Sequence, residues 1–167
     1  MAHVVIIMGS QSDEPTIAPC ADVLRELGVP FVLTVSSAHR TPGRTEALVA
    51  EEEAAGAAVF ICAAGMAAHL AGAVAARTVK PVIGIPVSGS SLGGMDALFS
   101  TVQMPPGFPV ATVALDKAGA RNAAWLAAQI LALTDAALAE RLAQAREKMR
   151  EAVAKAGDEL RQKYAEA

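Results

Sequence analysis

The sequence predicts an α/β fold: a doubly wound parallel five-stranded sheet with helices on both faces, followed by one long amphipathic helix. Three observations carry this expectation. Short β-branched apolar runs alternate with longer alanine- and leucine-rich segments, the rhythm of βαβ units. The runs are continuously apolar, as parallel strands covered on both faces require. The 167 residues are 53% hydrophobic but only 4% aromatic, and 38 are alanine. That is enough for a core, too much for a disordered chain, and it favours close packing of small side chains.

The elements run in order along the chain. Val4–Met8 lacks a basic flank and is too short for a signal peptide, so it reads as the first strand. Glu14–Leu27 is a helix that Gly28 stops. Phe31–Val35 is the second strand, and Pro42–Ala55 a helix opened by Pro42, whose missing N–H matters least there. Ala54–Ala76 has no Asp, Glu, Lys or Arg and by length could span a bilayer. Gly56, Gly65, Gly72 and His69 punctuate it, so it reads as a strand (Ala58–Ala63), a tight loop and a helix (Ala67–Ala76). Val82–Val87 and Val110–Leu115 complete the strands; Met95–Gln103 and Ala120–Leu133 complete the helices. Residues 134–167 carry seven charges of each sign. Leu138, Leu142, Ala145, Met149, Val153, Ala156, Leu160 and Tyr164 form a narrow apolar stripe there. The expected division is an α/β catalytic domain over 1–133 and a helix over 134–167, packed on that domain or on a neighbouring subunit.

Composition removes several functions. With 14 basic against 17 acidic residues, a net charge of −3 and six Phe, Trp and Tyr in all, no nucleic-acid surface is evident. Cys20 and Cys62 form no metal or disulfide pattern and suit a reducing cytoplasm. There is no Walker loop, G-x-S-x-G elbow or G-x-G-x-x-G fingerprint. No lysine lies at the expected ligand edge, since Lys80 precedes its strand.

In a doubly wound sheet ligands bind beyond the carboxyl ends of the strands, and the unusual polar residues fall there. Gly9-Ser-Gln-Ser-Asp13 enters a helix, so backbone N–H groups with the Ser10 and Ser12 hydroxyls suit a phosphate. Asp13 either caps that helix or accepts hydrogen bonds from ligand hydroxyls. Ser36-Ser-Ala-His-Arg-Thr-Pro42 offers Ser37, His39 for proton transfer near neutral pH and Arg40 for bidentate phosphate contact. Ala64-Gly-Met-Ala-Ala-His-Leu-Ala-Gly72 lets a ligand approach the backbone, with His69 its strongly polar side chain. Ser88–Gly94 is a candidate mobile cover. His3, on the opposite edge, reads as solvated.

Together these segments resemble the class I N5-carboxyaminoimidazole ribonucleotide mutases of purine synthesis. The matching stretches are MGSQSD (8–13), SAHRTP (37–42), AAHL (67–70), PVIGIPV (81–87), MDALFSTVQMPPGFPVATVAL (95–115) and NAAWLAAQIL (122–131). The combination of SAHRTP with the VQMP segment is the specific part. Met66 stands where the family loop has glycine, Ala71 where it has proline, and Glu14 where a tryptophan is common. The resemblance implies a three-layer flavodoxin-like fold, a homo-octamer, and conversion of N5-carboxyaminoimidazole ribonucleotide to its 4-carboxy isomer. It implies no metal, biotin or nucleotide cofactor. Ser10 and Arg40 match the family's phosphate contacts, Asp13 its ribose contact, His39 its catalytic histidine and His69 its second site histidine.

The expected mechanism has His39 act first as acid, then as base. Gly65, Ala67, Ala68 and Leu70 would enclose released carbon dioxide, and His69 would orient the carboxylate. Three rivals share this fold: a direct aminoimidazole ribonucleotide carboxylase, a non-catalytic phosphoribosyl sensor and a flavodoxin-like electron carrier. The histidine of SAHRTP argues against the sensor. One Trp and one Tyr argue against flavin stacking.

Overall fold

The computed structural model describes residues 2–165; Met1, Glu166 and Ala167, at the ends of the two expected segments, lie outside them. The strands are β1 (His3–Met8), β2 (Phe31–Val35), β3 (Ala57–Gly65), β4 (Val82–Val87) and β5 (Ala111–Thr112). The helices are α1 (Glu14–Glu26), α2 (Pro42–Ala54), α3 (Leu70–Ala75), α4 (Met95–Val102), α5 (Asp116–Ala132) and α6 (Ala136–Ala165). All strand pairs are parallel, in the order β2-β1-β3-β4-β5. This is the flavodoxin-like order, with its switch point between β1 and β3. The register keeps the carboxyl ends in step: Met8 is level with Val35 and Ala63, and Gly65 with Val87.

Side chains of each strand alternate between two apolar layers. Val4, Ile6, Val59, Ile61, Ile83 and Ile85 face α1 and α5; Val5, Ile7, Phe60 and Cys62 face α2 and α3. All ten are at most 1% exposed. Each full burial of a Val, Ile or Phe contributes about 1.5–3 kcal/mol. The alanine excess has a location: Ala120, Ala123, Ala124, Ala127 and Ala128 of α5 are fully buried. Their small side chains let α5 lie close to the sheet and to α1.

Some boundaries differ from the sequence reading. Ala67, Ala68 and His69 are not in α3; Met66 turns left-handed (φ 56°) and the chain folds back, with the His69 N–H donating to the Ala67 carbonyl at 2.8 Å. The fifth apolar run pairs only over Ala111–Thr112, extended by one bond from the Val113 N–H to the Gly84 carbonyl. Pro109 has no N–H to donate at its start, and its last residues carry the chain into α5. That helix begins at Asp116, a turn before Ala120. The uncharged stretch 54–76 is a strand, loop and helix as expected, and no helix among the described residues is long and apolar enough to cross a membrane.

The final helix is continuous for 30 residues. Asp135 caps it by accepting the Leu138 N–H at 2.9 Å, and Leu138 and Leu142 are buried against the α1–α5 layer. Arg141 Nε donates to the Leu27 carbonyl at 2.8 Å. Beyond that contact Met149, Val153, Leu160 and Tyr164 are all exposed.

Candidate active site

Four strand-to-helix loops meet around one cavity of about 660 Å³ at the carboxyl edge. The β1 loop enters through a short 3₁₀ turn over Gln11–Asp13. Ser10 caps it, its hydroxyl accepting the Ser12 N–H at 3.3 Å and lying 2.8 Å from Ser12 Oγ. Two hydroxyls therefore converge at the mouth of α1, where an anion is favoured.

The β2 loop is held from beneath. Buried Ser36 and Thr45 share a hydrogen bond of 2.8 Å. The Thr41 hydroxyl accepts the Ser37 N–H and donates to the Ser37 carbonyl, both at 3.1 Å. Ser37 Oγ accepts the Arg40 N–H at 3.1 Å. The Arg40 guanidinium then reaches across to the Gly9 carbonyl at 3.0 Å. It thereby ties the β2 loop to the β1 loop with charge still available for an anionic ligand.

The β3 loop brings the second imidazole. His39 Nε2 lies 2.9 Å from His69 Nδ1, with the rings edge-to-face at 77° and both residues exposed. In such a bond one nitrogen donates and the other accepts. Gly65 fits because β4 runs alongside: a Cβ there would sit 2.9 Å from the Val87 carbonyl oxygen. Burial pushes the Asp13 carboxyl up from its ordinary value, against the lowering effect of the Ser12 and Ser10 hydrogen bonds and the Arg40 charge. The Cys20 thiol is pushed up to about 12 by burial, and Cys62 is pushed up by the same cause. Neither supplies a thiolate at neutral pH.

The cavity brings together Ser10, Ser12, Asp13, Ser37, His39, Arg40, Gly65, Ala67, His69 and Leu70. Ala68, expected in the apolar pocket, is buried away from it; Ala64 and Met66 line it instead. His69 is exposed in its loop. His3 is not solvated: its Nε2 lies 2.9 Å from Glu52 Oε2 with the side chain only 12% exposed. The sequence reading did not single out Gly9, Ala38, Met66, Val87 or Gly89 as lining residues. Glycines and apolar residues of this kind carry no polar signal, although Gly89 sits in the loop singled out as a cover. A second cavity of about 770 Å³ opens at the opposite edge, beside Arg77, Lys80 and Phe108. It lies at the amino ends of β4 and β5, away from the imidazoles. Among the described residues no three His, Cys, Asp or Glu side chains converge; a ligand in the cavity meets hydroxyls, imidazoles, the Asp13 carboxyl and Arg40.

Comparison with known proteins gives a consistent result. The family model described as AIR carboxylase matches residues 3–152. A protein named N5-carboxyaminoimidazole ribonucleotide mutase from Brucella melitensis is 52% identical over 151 residues, covering 90% of this chain and 93% of that one. A protein of the same name from Methanocaldococcus jannaschii is 47% identical over 161 residues, covering 96% and 99%. The crystal structure of Treponema denticola PurE superposes with a TM-score of 0.87 at 28% identity, over 96% of this chain and 99% of that one.

Proposed function

Since the chain belongs to the AIR carboxylase family, we propose that it is an N5-carboxyaminoimidazole ribonucleotide mutase, an isomerase of purine synthesis. The observation that carries this reading is the His39–His69 pair standing beside an anion-binding loop in one cavity. Phosphate binds at Ser10, Ser12, Ser37 and Arg40, and Asp13 accepts hydrogen bonds from the ribose hydroxyls.

The reaction moves a carboxylate from the exocyclic nitrogen to the adjacent ring carbon. Protonated His39 carries two N–H groups; one donates to His69 Nδ1 and the other remains for transfer. The nitrogen–carboxylate bond breaks, carbon dioxide leaves, and His39 delivers its proton to the nitrogen. The ring carbon of the bound aminoimidazole then attacks carbon dioxide. His39 takes the proton from that carbon, which restores the aromatic ring and the starting imidazolium. One group acts as acid and then base, which histidine suits. His69 directs its other nitrogen to the carboxylate. Ala64, Gly65, Met66, Ala67 and Leu70 hold carbon dioxide against an apolar wall and limit its escape.

The enzyme works as a cytoplasmic homo-octamer on this reading. Support comes from the exposed Phe99, Val102 and Phe108 around α4 and from the exposed stripe of α6, apolar side chains that a subunit contact would take out of water. The distal half of α6 then packs on a neighbouring subunit. The decisive assay compares the carboxylated amine with aminoimidazole ribonucleotide plus bicarbonate. Fast turnover of the carboxylated amine alone is expected. Faster product formation from bicarbonate makes the protein a direct carboxylase instead.

A further inference from the structure

Among the described residues two that are not glycine adopt a left-handed backbone, Met66 and Asp116, both at φ 56°. Such conformations persist only where surrounding structure holds them, and they gather at functional sites. Met66 already lines the cavity. Asp116 does not, yet its side chain reaches toward it. Asp116 Oδ1 accepts the Ser88 backbone N–H at 2.8 Å, and Oδ2 accepts the Ser88 hydroxyl. Ser88 is the first residue after β4, and its neighbours Val87 and Gly89 both line the cavity.

The far end of the same loop returns to this point. Gly94 sits at φ 87°, and a Cβ there would overlap Leu115 Cδ2 and stand 3.1 Å from Ser88 Cβ. Both ends of the loop over 88–94 therefore meet against Leu115 and Asp116. Between them the chain is held by short local bonds, the Leu92 N–H to Ser90 Oγ at 3.0 Å and the Gly93 N–H to the Ser90 carbonyl at 3.3 Å. Leu92 itself is exposed.

We infer that Asp116 is a positioning residue: its carboxylate clamps the base of the 88–94 loop, so that the Val87–Gly89 wall is in place before substrate arrives. Bonds to an ionised acceptor are the stronger class, and two of them to one residue fix its peptide in orientation as well as position. A wall that had to be ordered on binding would take that entropy out of affinity. Aspartate is also among the few side chains that tolerate the left-handed region, so one residue meets both demands. The affinity consequence rests on the proposed mutase activity, because the proposed substrate reads it.

The test compares Asp116→Gly, Asp116→Asn and the parent enzyme. Glycine accepts the backbone angle, so the variant keeps the fold, which its melting curve checks. Its KM for N5-carboxyaminoimidazole ribonucleotide should rise about tenfold, as loss of a charge-assisted anchor implies, while kcat stays within about twofold. Asparagine keeps a neutral acceptor for the Ser88 N–H and should recover part of the affinity, with a KM between those of the parent and the glycine variant. Amide hydrogen exchange across 88–94 should quicken in the glycine variant and return in the asparagine variant. An unchanged KM in Asp116→Gly overturns the inference, whether or not the melting temperature falls; so does unchanged exchange. If the parent enzyme proves inert, the proposed activity fails, and the exchange comparison, which needs no turnover, still decides the clamp.

Discussion

The two edges of the sheet handle polar groups in opposite ways. At the amino edge each of three groups meets a carboxylate: His3 pairs with Glu52 at 2.9 Å, Thr78 donates to Glu53 at 2.8 Å, and Arg77 pairs with Glu46 at 3.1 Å. At the carboxyl edge two imidazoles bond each other, and the Arg40 hydrogen bonds go to neutral oxygens, the Gly9 carbonyl and Ser37 Oγ. Asp13 is held there with its carboxyl pushed up by burial. The same chemical groups are matched at one edge and left with unspent capacity at the other. On the proposed reading the amino-edge pairs serve the fold, while His39, His69 and Arg40 at the carboxyl edge serve a ligand.

The largest test of that contrast is His39→Asn. Asparagine keeps a polar group but cannot shuttle a proton, so turnover should fall by about 10²–10⁴ while ribonucleotide binding, measured by calorimetry, persists. A near-parental rate would remove His39 from the chemistry. Arg40→Ala comes next. Losing a charge-assisted phosphate contact should weaken binding about 10–100-fold with much less change in kcat. Unchanged affinity would mean that Arg40 only staples the β2 loop to Gly9.

Much of this contrast is legible in the sequence, because strand ends and loop chemistry coincide. Continuous runs such as Val4–Met8 and Val82–Val87 have one stable place, the middle of a covered sheet, and the structure puts them there. The loop after each run then falls at one edge by topology alone, which is how Ser10, His39 and His69 reach a common cavity. The failures are tertiary. Ala67, Ala68 and His69 have ordinary helix propensity, yet Met66 is left-handed and the chain turns before α3. His3 reads as solvated in the sequence because its partner, Glu52, lies 49 residues away. Asp116 follows an apolar run and lies outside the helix expected over Ala120–Leu133; its tie to Ser88 depends on β4 and β5 being neighbours. The stripe of α6 is readable, and Leu138, Leu142 and Ala145 are the members that pack on the core of the domain.

Asp13→Asn sharpens the comparison through pH. Burial raises the Asp13 carboxyl, so its ionised form works against folding. That penalty is present above the folded-state pKa and absent below the ordinary value of 3.8. The asparagine variant should therefore be more stable than the parent in urea at pH 7, with the difference narrowing as pH falls toward 3.8. Substrate binding should weaken severalfold, because an amide is a poorer acceptor for ribose hydroxyls than a carboxylate. A variant that gains stability and loses affinity shows a carboxylate kept for the ligand at the expense of the fold. Equal stability across this range would mean that desolvation of Asp13 is fully offset by Ser12, Ser10 and Arg40.

The smallest effect on catalysis should come from His3→Ala, at the other end of β1. Five residue steps separate His3 from Met8, about 17 Å at the rise of a parallel strand. The bond to Glu52 is partly buried, with side-chain exposures of 12% and 18%, so its loss leaves a carboxylate short of a partner. A stability loss of about 1 kcal/mol is expected, read as a lower urea midpoint. KM and kcat should stay within about twofold of the parent, as distant sites without shared partners act independently. A larger kinetic change would show that the amino edge reaches the chemistry through β1, and the division between a matched edge and a waiting one would fail.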